Sequence, residues 1–303
     1  MDPALEAVID AIPEWTGRDV VAVEPLTAGI TNANLKISFG DEAFVVRLMG
    51  SGTELLGIDR AAEEEAGRAA HAAGIGPEVF RALPELRALV TRFVEGTGIP
   101  QEDLRREEVL SSVVRSVRRF HACPPIRSAF PVFRIVEGYR ELAASRGVPI
   151  PSAFEEALQR ARRIETAFAR APMPLTTCHN DFLNANLLLE GDHTWIVDYE
   201  YAGMGDPFFD LGNLSINNGL DDLAQELLLR LYFGEVNDVH RARHGLMRVM
   251  SDFREAMWGV AQQALSTLEF DYVDYADRHF ARLLETAGDD AFDGWLEVGG
   301  TSP

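Results

Sequence analysis

His179-Asn180-Asp181-Phe182-Leu183-Asn184-Ala185-Asn186, followed by the apolar segment Leu187-Leu188-Leu189 and then by Thr194-Trp195-Ile196-Val197-Asp198-Tyr199-Glu200, decides how this 303-residue chain is read. Asp181 and Asn186 stand in an Asp-x-x-x-x-Asn spacing, and Asp198 closes an apolar run with the composition of a buried strand. One loop and one neighbouring strand can thus bring a carboxylate base and two hard oxygen ligands within a few ångströms of each other.

That spacing is the one found in the catalytic loop of protein kinases. It marks a phosphotransferase centre, in which positioning and charge neutralisation do most of the work. Asp181 is the expected base for a substrate hydroxyl, and Asn186 and Asp198 are the expected Mg²⁺ ligands, with waters and phosphates completing the octahedron. His179 is expected to brace the loop through a backbone hydrogen bond. Asp210, an acid inside the apolar run Phe208-Phe209-Asp210-Leu211, reads as a structural carboxylate that ties the loop down.

Working outward toward the N-terminus, residues 4–12 suggest a short helix. Segments 20–24, 34–39, 43–48, 79–81 and 88–93 read as strands, with a helix over 59–73 inserted among them. The loop Thr27–Asn34 lies between two strands, where a phosphate cover belongs. Gly29 permits close backbone approach there, and Thr27, Thr31 and Asn32 supply donors. Arg47 is a charge in the middle of an apolar strand, so it should face a partner or a site. Glu63 is its natural partner, with Glu64 and Glu65 competing on helix phase alone. The segment Arg92-Phe93-Val94-Glu95-Gly96 would be a hinge whose backbone, at Phe93 and Val94, meets adenine. Lys36 is the only lysine, and no Gly-Lys-Ser/Thr phosphate loop exists, so the phosphate-pairing cation must be an arginine.

Beyond Gly98 the pattern is helical over 105–121, 135–146, 151–170, 220–233, 239–267 and 272–286. The fold class expected is α+β and bilobal. Residues 1–96 would form a small antiparallel β-sheet lobe with one helix for the nucleotide, and 97–303 a larger, mainly helical lobe for catalysis and the acceptor.

Composition narrows the partners. An apolar fraction of 47% and a charged fraction of 25% fit an ordinary globular protein. The formal net charge of −20 argues against nucleic acid or an anionic membrane and favours a cationic substrate. Cys123 and Cys178 are too few for a disulfide framework or a zinc cluster, which suits a reducing cytoplasm. No run approaches a membrane span, and the acidic N-terminus lacks a signal-peptide pattern.

The blocks His179–Asn186, Asp198-Tyr199-Glu200-Tyr201 and Phe209-Asp210-Leu211-Gly212-Asn213 resemble the signatures of choline/ethanolamine kinases, within the wider aminoglycoside-phosphotransferase-like group with a protein-kinase-like fold. Val46-Arg47-Leu48, Ile58-Asp59-Arg60, Gly74-Ile75-Gly76-Pro77 and Phe93-Val94-Glu95-Gly96 fit as well. The stretch from Trp258 through Phe270 to Tyr275 is similar to the family's choline-binding end. The resemblance implies an ATP- and Mg²⁺-dependent kinase acting on choline or a close amino alcohol. It makes Asp181 the catalytic aspartate, Asn186 and Asp198 the metal ligands, and Arg47 with Glu63 the phosphate-side ion pair. Tyr201, Trp258, Phe270 and Tyr275 become walls of an ammonium pocket. Two departures stand out: Glu255 where eukaryotic members carry another tryptophan, and Asn217 where they carry a glutamate. Glu255 is therefore expected to neutralise the ammonium from the opposite wall. Ethanolamine, an aminoglycoside, thiamine or an amino-sugar are the other acceptors to consider, and a silent nucleotide sensor is the reading from a different class.

Overall fold

The N-terminal sheet follows from strict alternation of side chains. A computed structural model of the protein describes residues 2–26, 32–50, 52–266, 268–288 and 290–302. Helix α1 (Pro3–Asp10) starts where the Asp2 side chain accepts from the Ala4 amide, with proline in the first turn. It precedes β1 (Ala22–Leu26), β2 (Ala33–Phe39) and β3 (Glu42–Leu48). Helix α2 (Arg60–Ala72) comes next, then β4 (Val79–Leu83) and β5 (Ala88–Arg92), and the five strands form an antiparallel sheet in the order β1-β2-β3-β5-β4. On β3, Phe44 and Val46 enter a small core with Trp15, Ile37, Phe39 and Val90. Val45 and Arg47, one residue out of phase, line a cavity on the other face. A one-residue slip would exchange those two sets.

Helix α2 is capped by Asp59, which accepts from the amides of Ala61 and Ala62. It ends at Gly74, whose φ of 69° suits glycine. Its small residues Ala66 and Ala70 join the larger core with the C-terminal helices, and the Ile196 amide bonds Ile75 O at 2.7 Å, tying the two lobes together.

The rest of the chain comprises β6 (Thr97–Gly98), α3 (Glu107–His121), α4 (Val132–Ser145), α5 (Phe154–Arg170), β7 (Thr176–Cys178), β8 (Leu187–Glu190), β9 (His193–Ile196) and β10 (Gly203–Gly205), then α6 (Pro207–Asn217), α7 (Asp222–Phe233), α8 (Asp238–Leu265), α9 (Tyr272–Gly288) and α10 (Ala291–Gly299). β6, β8 and β9 make one small sheet, and β7 pairs with β10. The fold is protein-kinase-like, as the α+β bilobal expectation has it. The expected strands and helices form with ends shifted by up to three residues. Helices α6 and α10 and the short strands β6, β7 and β10 are additions to the sequence reading.

Helix α6 owes its place to Gly212. A Cβ there would stand 2.8 Å from the Met247 carbonyl carbon and 2.9 Å from the Arg248 nitrogen, both backbone atoms of α8. Alanine would gain about 1 kcal/mol of helix propensity. No rotamer relieves a clash with backbone, however, and overpacking costs about 1–3 kcal/mol. Gly212→Ala should therefore lower stability by up to about 2 kcal/mol in urea unfolding. A stabilised variant would show that α6 can move off α8 at little cost.

Candidate active site

The loop His179–Asn186 is held by side chains of α6. Asp210 accepts from the His179 amide at 2.8 Å and the Asn180 amide at 2.6 Å, and His121 Nε2 meets it at 2.9 Å. Asn213 Oδ1 accepts from the Phe182 amide at 2.6 Å, while Asn218 Nδ2, just past the helix, donates to the Phe182 carbonyl at 2.9 Å. A loop would otherwise carry these backbone groups into the core without partners. Asn180 takes a φ of 65° and donates from Nδ2 to the Tyr201 carbonyl at 3.0 Å. His179 is buried and its pKa is lowered chiefly by that burial. As a neutral ring it donates from Nε2 to Val197 O at 3.0 Å and accepts the Asp181 amide at Nδ1, 3.3 Å away.

Two cavities meet behind this loop. The first, about 280 Å³, lies under the sheet and is lined by Val45, Arg47, Glu63, Leu89, Phe93, Val94, Leu188, Asn186 and Asp198 among others. The second, about 230 Å³, is lined by Asn32, Asp181, Glu200, Tyr201, Arg254, Glu255, Trp258 and Tyr275, and it shares Asn34, Ala185, Asn186 and Asp198 with the first. The shared residues are the ones that a phosphoryl group would pass.

Asn186 Nδ2 donates to the Asp181 carbonyl at 2.9 Å, which leaves its Oδ1 without a protein partner among the described residues. Asp198, in the left-handed region at φ 68°, accepts at Oδ1 from Arg47 Nη1 at 2.5 Å and keeps Oδ2 unengaged among the described residues. A hard divalent cation wants oxygen donors of this kind, so the pair fits Mg²⁺. Arg47 is fixed from three sides, by Asp198, by Glu63 Oε1 at 2.8 Å and by Asn34 Oδ1 at 3.3 Å. Of the three glutamates competing on helix phase, Glu63 is the one that meets it. Burial works against the Arg47 charge, but Asp198, Glu63 and Glu200 raise its pKa above the ordinary value. Arg60 extends the network by bonding Glu63 Oε2 at 2.6 Å and Glu200 Oε2 at 3.2 Å. At the hinge, the Phe93 amide donates to Ala43 O, while the amides of Val94, Glu95 and Gly96 have no hydrogen-bond partner among the described residues. The Lys36 ammonium lies 4.0 Å from the centre of the Phe93 ring.

The second cavity departs from the expected ammonium cage. Trp258 and Tyr275 face it, with ring centres 5.6 Å apart and planes at 66°. Phe270 does not; it is 38% exposed and packs on the outside of Tyr272 and Tyr275. Tyr201 lines the cavity, but the Arg254 guanidinium covers its ring, 4.3 Å from the centroid, and its hydroxyl accepts from Trp258 Nε1 at 2.9 Å. Glu255 is already engaged. Its Oε1 accepts from Arg254 Nη1 at 2.8 Å and from Asn213 Nδ2 at 3.2 Å, with Asn217 Nδ2 at 3.5 Å, and its Oε2 accepts from the Tyr275 hydroxyl at 2.8 Å. Burial would raise the Glu255 pKa, yet Arg254 and His279 hold it below the ordinary value. Its charge is therefore largely spent on Arg254. Asn32 bonds Glu200 Oε2 at 3.0 Å and belongs to this second cavity rather than to the first. Thr27, Gly29 and Thr31 lie outside the described residues.

Arg254, Glu200 and Asn34 are site residues that sequence reasoning missed. A signal existed for Arg254, since an Arg-Glu pair between Phe253 and Ala256 is as anomalous as Arg47 in its strand.

Asp181 is pushed up to about 8 by burial, helped by Glu255, Asp198 and Glu200 and opposed by Arg254. An acid raised from 3.8 keeps its proton in the folded state while the unfolded chain releases it. Below both values the group is neutral in both states and costs nothing. Stability then falls as pH rises from about 4 to about 8. In metal-free buffer, Asp181→Asn should match the parent's Tm near pH 4.5 and exceed it progressively toward pH 8.5. Parallel Tm curves would show that Asp181 stays ionised in the folded protein throughout.

The sequence pattern of the phosphotransferase enzyme family matches residues 22–246. The structure is similar to that of a choline/ethanolamine kinase family protein from Mesorhizobium loti, with a TM-score of 0.85, 30% identity and 98% of each chain covered. Protein LicA of Haemophilus influenzae is 26% identical over 82% of this chain and 94% of its own length. Ethanolamine kinase 1 of Mus musculus is 24% identical over 94% of this chain and 88% of its own length. The site geometry and these likenesses together make the protein a small-molecule kinase: the chain belongs to the phosphotransferase enzyme family, in its choline/ethanolamine kinase branch.

Proposed function

We propose that the protein transfers the γ-phosphoryl group of ATP, with Mg²⁺, to the hydroxyl of choline or a closely related amino alcohol. The observation that carries this reading is the meeting of two cavities at Asn186 and Asp198, with Asp181 lining the one walled by Trp258 and Tyr275. ATP would lie in the first cavity, its adenine against the hinge at Phe93 and Val94 and its phosphates toward Arg47. The acceptor would lie in the second with its hydroxyl on Asp181. The hydroxyl oxygen forms its bond to the γ-phosphorus as the bond to the ADP oxygen breaks, and the proton passes to Asp181. Asn186 and Asp198 would hold Mg²⁺, which supplies neutralisation of phosphate charge. Arg47, clamped by Glu63, is held in place to meet the phosphates without reorganising.

Among the described residues no helix is long and apolar enough to cross a membrane. A cytoplasmic setting, where ATP is available and Cys123 and Cys178 stay reduced, completes the reading. The test is ADP release from ATP and Mg²⁺ with choline, ethanolamine, thiamine and kanamycin in parallel. Stimulation by an amino alcohol supports the proposal; stimulation by kanamycin alone overturns it.

A further inference from the structure

Arg254 has no part in the transfer steps above, yet it is buried in the wall of the acceptor cavity with 1% of its side chain exposed. Its guanidinium carbon stands over the Tyr201 ring, 4.3 Å from the ring centre. Nη1 donates to Glu255 Oε1 at 2.8 Å and reaches Asp181 Oδ1 at 3.3 Å. The chain has thus placed a cation of its own on an aromatic face that a substrate ammonium would otherwise use. What remains for the substrate is the Trp258 and Tyr275 pair, with Glu200 beside it, whose Oε1 has no hydrogen-bond partner among the described residues.

The two kinds of ammonium respond differently to that exchange. A trimethylammonium has no N–H and is held chiefly by aromatic faces, each worth about 0.5–2 kcal/mol. It loses one face here and would cover Glu200 Oε1 without offering it a hydrogen bond, which is costly. A primary ammonium carries three donors and gains a charge-assisted hydrogen bond to that oxygen. We infer that Arg254 is a specificity-determining residue that biases the acceptor cavity toward a primary-ammonium alcohol and against a trimethylammonium one. The inference rests on the amino-alcohol kinase reading and narrows it.

The experiment compares kcat/KM for ethanolamine and for choline in the parent, in Arg254→Met and in the double variant Arg254→Met/Glu255→Gln. The double variant removes both members of the ion pair, so that neither is left as a lone buried charge. Any general loss of turnover cancels in the ratio of the two acceptors. The expected result is a parent that prefers ethanolamine, with the ratio moving about tenfold toward choline in both variants, mainly through the KM for choline. A ratio unchanged in the variants, or a parent that prefers choline, overturns the inference while leaving the kinase reading intact. Absence of turnover with either acceptor in all three proteins sinks the amino-alcohol reading instead. Calorimetric affinities of ethanolamine and choline for the same proteins then decide the inference by the same ratio.

Discussion

Asp181→Asn is expected to lower kcat by about 10²–10⁴-fold, the range for loss of a positioned general base. The amide keeps the shape and one acceptor oxygen, so the loop stays in place through Asp210, Asn213 and Asn218. It cannot take the hydroxyl proton. Nucleotide affinity should change little, because the first cavity is built from Val45, Arg47, Phe93 and Val94 and does not include Asp181. Steady-state kinetics with varied ATP and varied acceptor separate the two effects. Near-parent turnover would remove Asp181 from the chemistry. The same substitution is the one expected to raise Tm at alkaline pH, so activity and stability should move in opposite directions at a single position.

The second large effect is expected at Arg47. Its side chain is 12% exposed and lies between Glu63, at 1%, and Asp198, at 19%. Removing one member of such a buried group leaves uncompensated charge, at a cost of about 3–5 kcal/mol. Part of that cost is recovered here, since Arg60 still pairs with Glu63 and Asp198 has some access to water. Arg47→Met should therefore lose about 2–4 kcal/mol in urea unfolding and raise the KM for ATP at least about tenfold. Added Mg²⁺ should restore part of the stability, because Asp198 then regains a cationic partner. A loss below about 1 kcal/mol would mean that the pair is worth no more than a surface ion pair.

Much of this was legible because the decisive residues break a local pattern. Arg47 interrupts an apolar strand and Asp198 ends one, so each needed a reason to be where it is. The Asp181–Asn186 spacing is short enough that the chain alone brings the two together. Helix α6 was illegible for the opposite reason: Pro207 through Ile216 are buried on all sides. Without a polar face the segment shows no helical period, and Gly212, Asn213 and Ser215 weaken its propensity further. Its role becomes visible only when Asp210 and Asn213 are seen against the loop backbone.

The acceptor wall shows where sequence reasoning stops. Phe270, Tyr272 and Tyr275 look equivalent in the chain, yet the start of α9 turns Tyr275 inward and leaves Phe270 outside. Glu255 was identified, but its neighbour was not, and the neighbour changes its meaning. Whether a carboxylate on a buried helix is free for a ligand depends on which donors converge on it from other helices. Here they come from Arg254 on the same helix, Asn213 and Asn217 on α6 and Tyr275 on α9. No spacing rule encodes that convergence.

Lys36, resting on Phe93 at the hinge, is the chain's sole ε-amine. Apart from the α-amino group, an amine-reactive dye has one address in this sequence, and it is beside the cavity proposed for ATP. With the α-amino group blocked first, acylation at Lys36 yields a homogeneous conjugate without mutagenesis. Its fluorescence would respond to anything that changes the packing of the Phe93 ring, so the shortage of lysine leaves the protein with an intrinsic attachment point for reporting occupancy of the cleft.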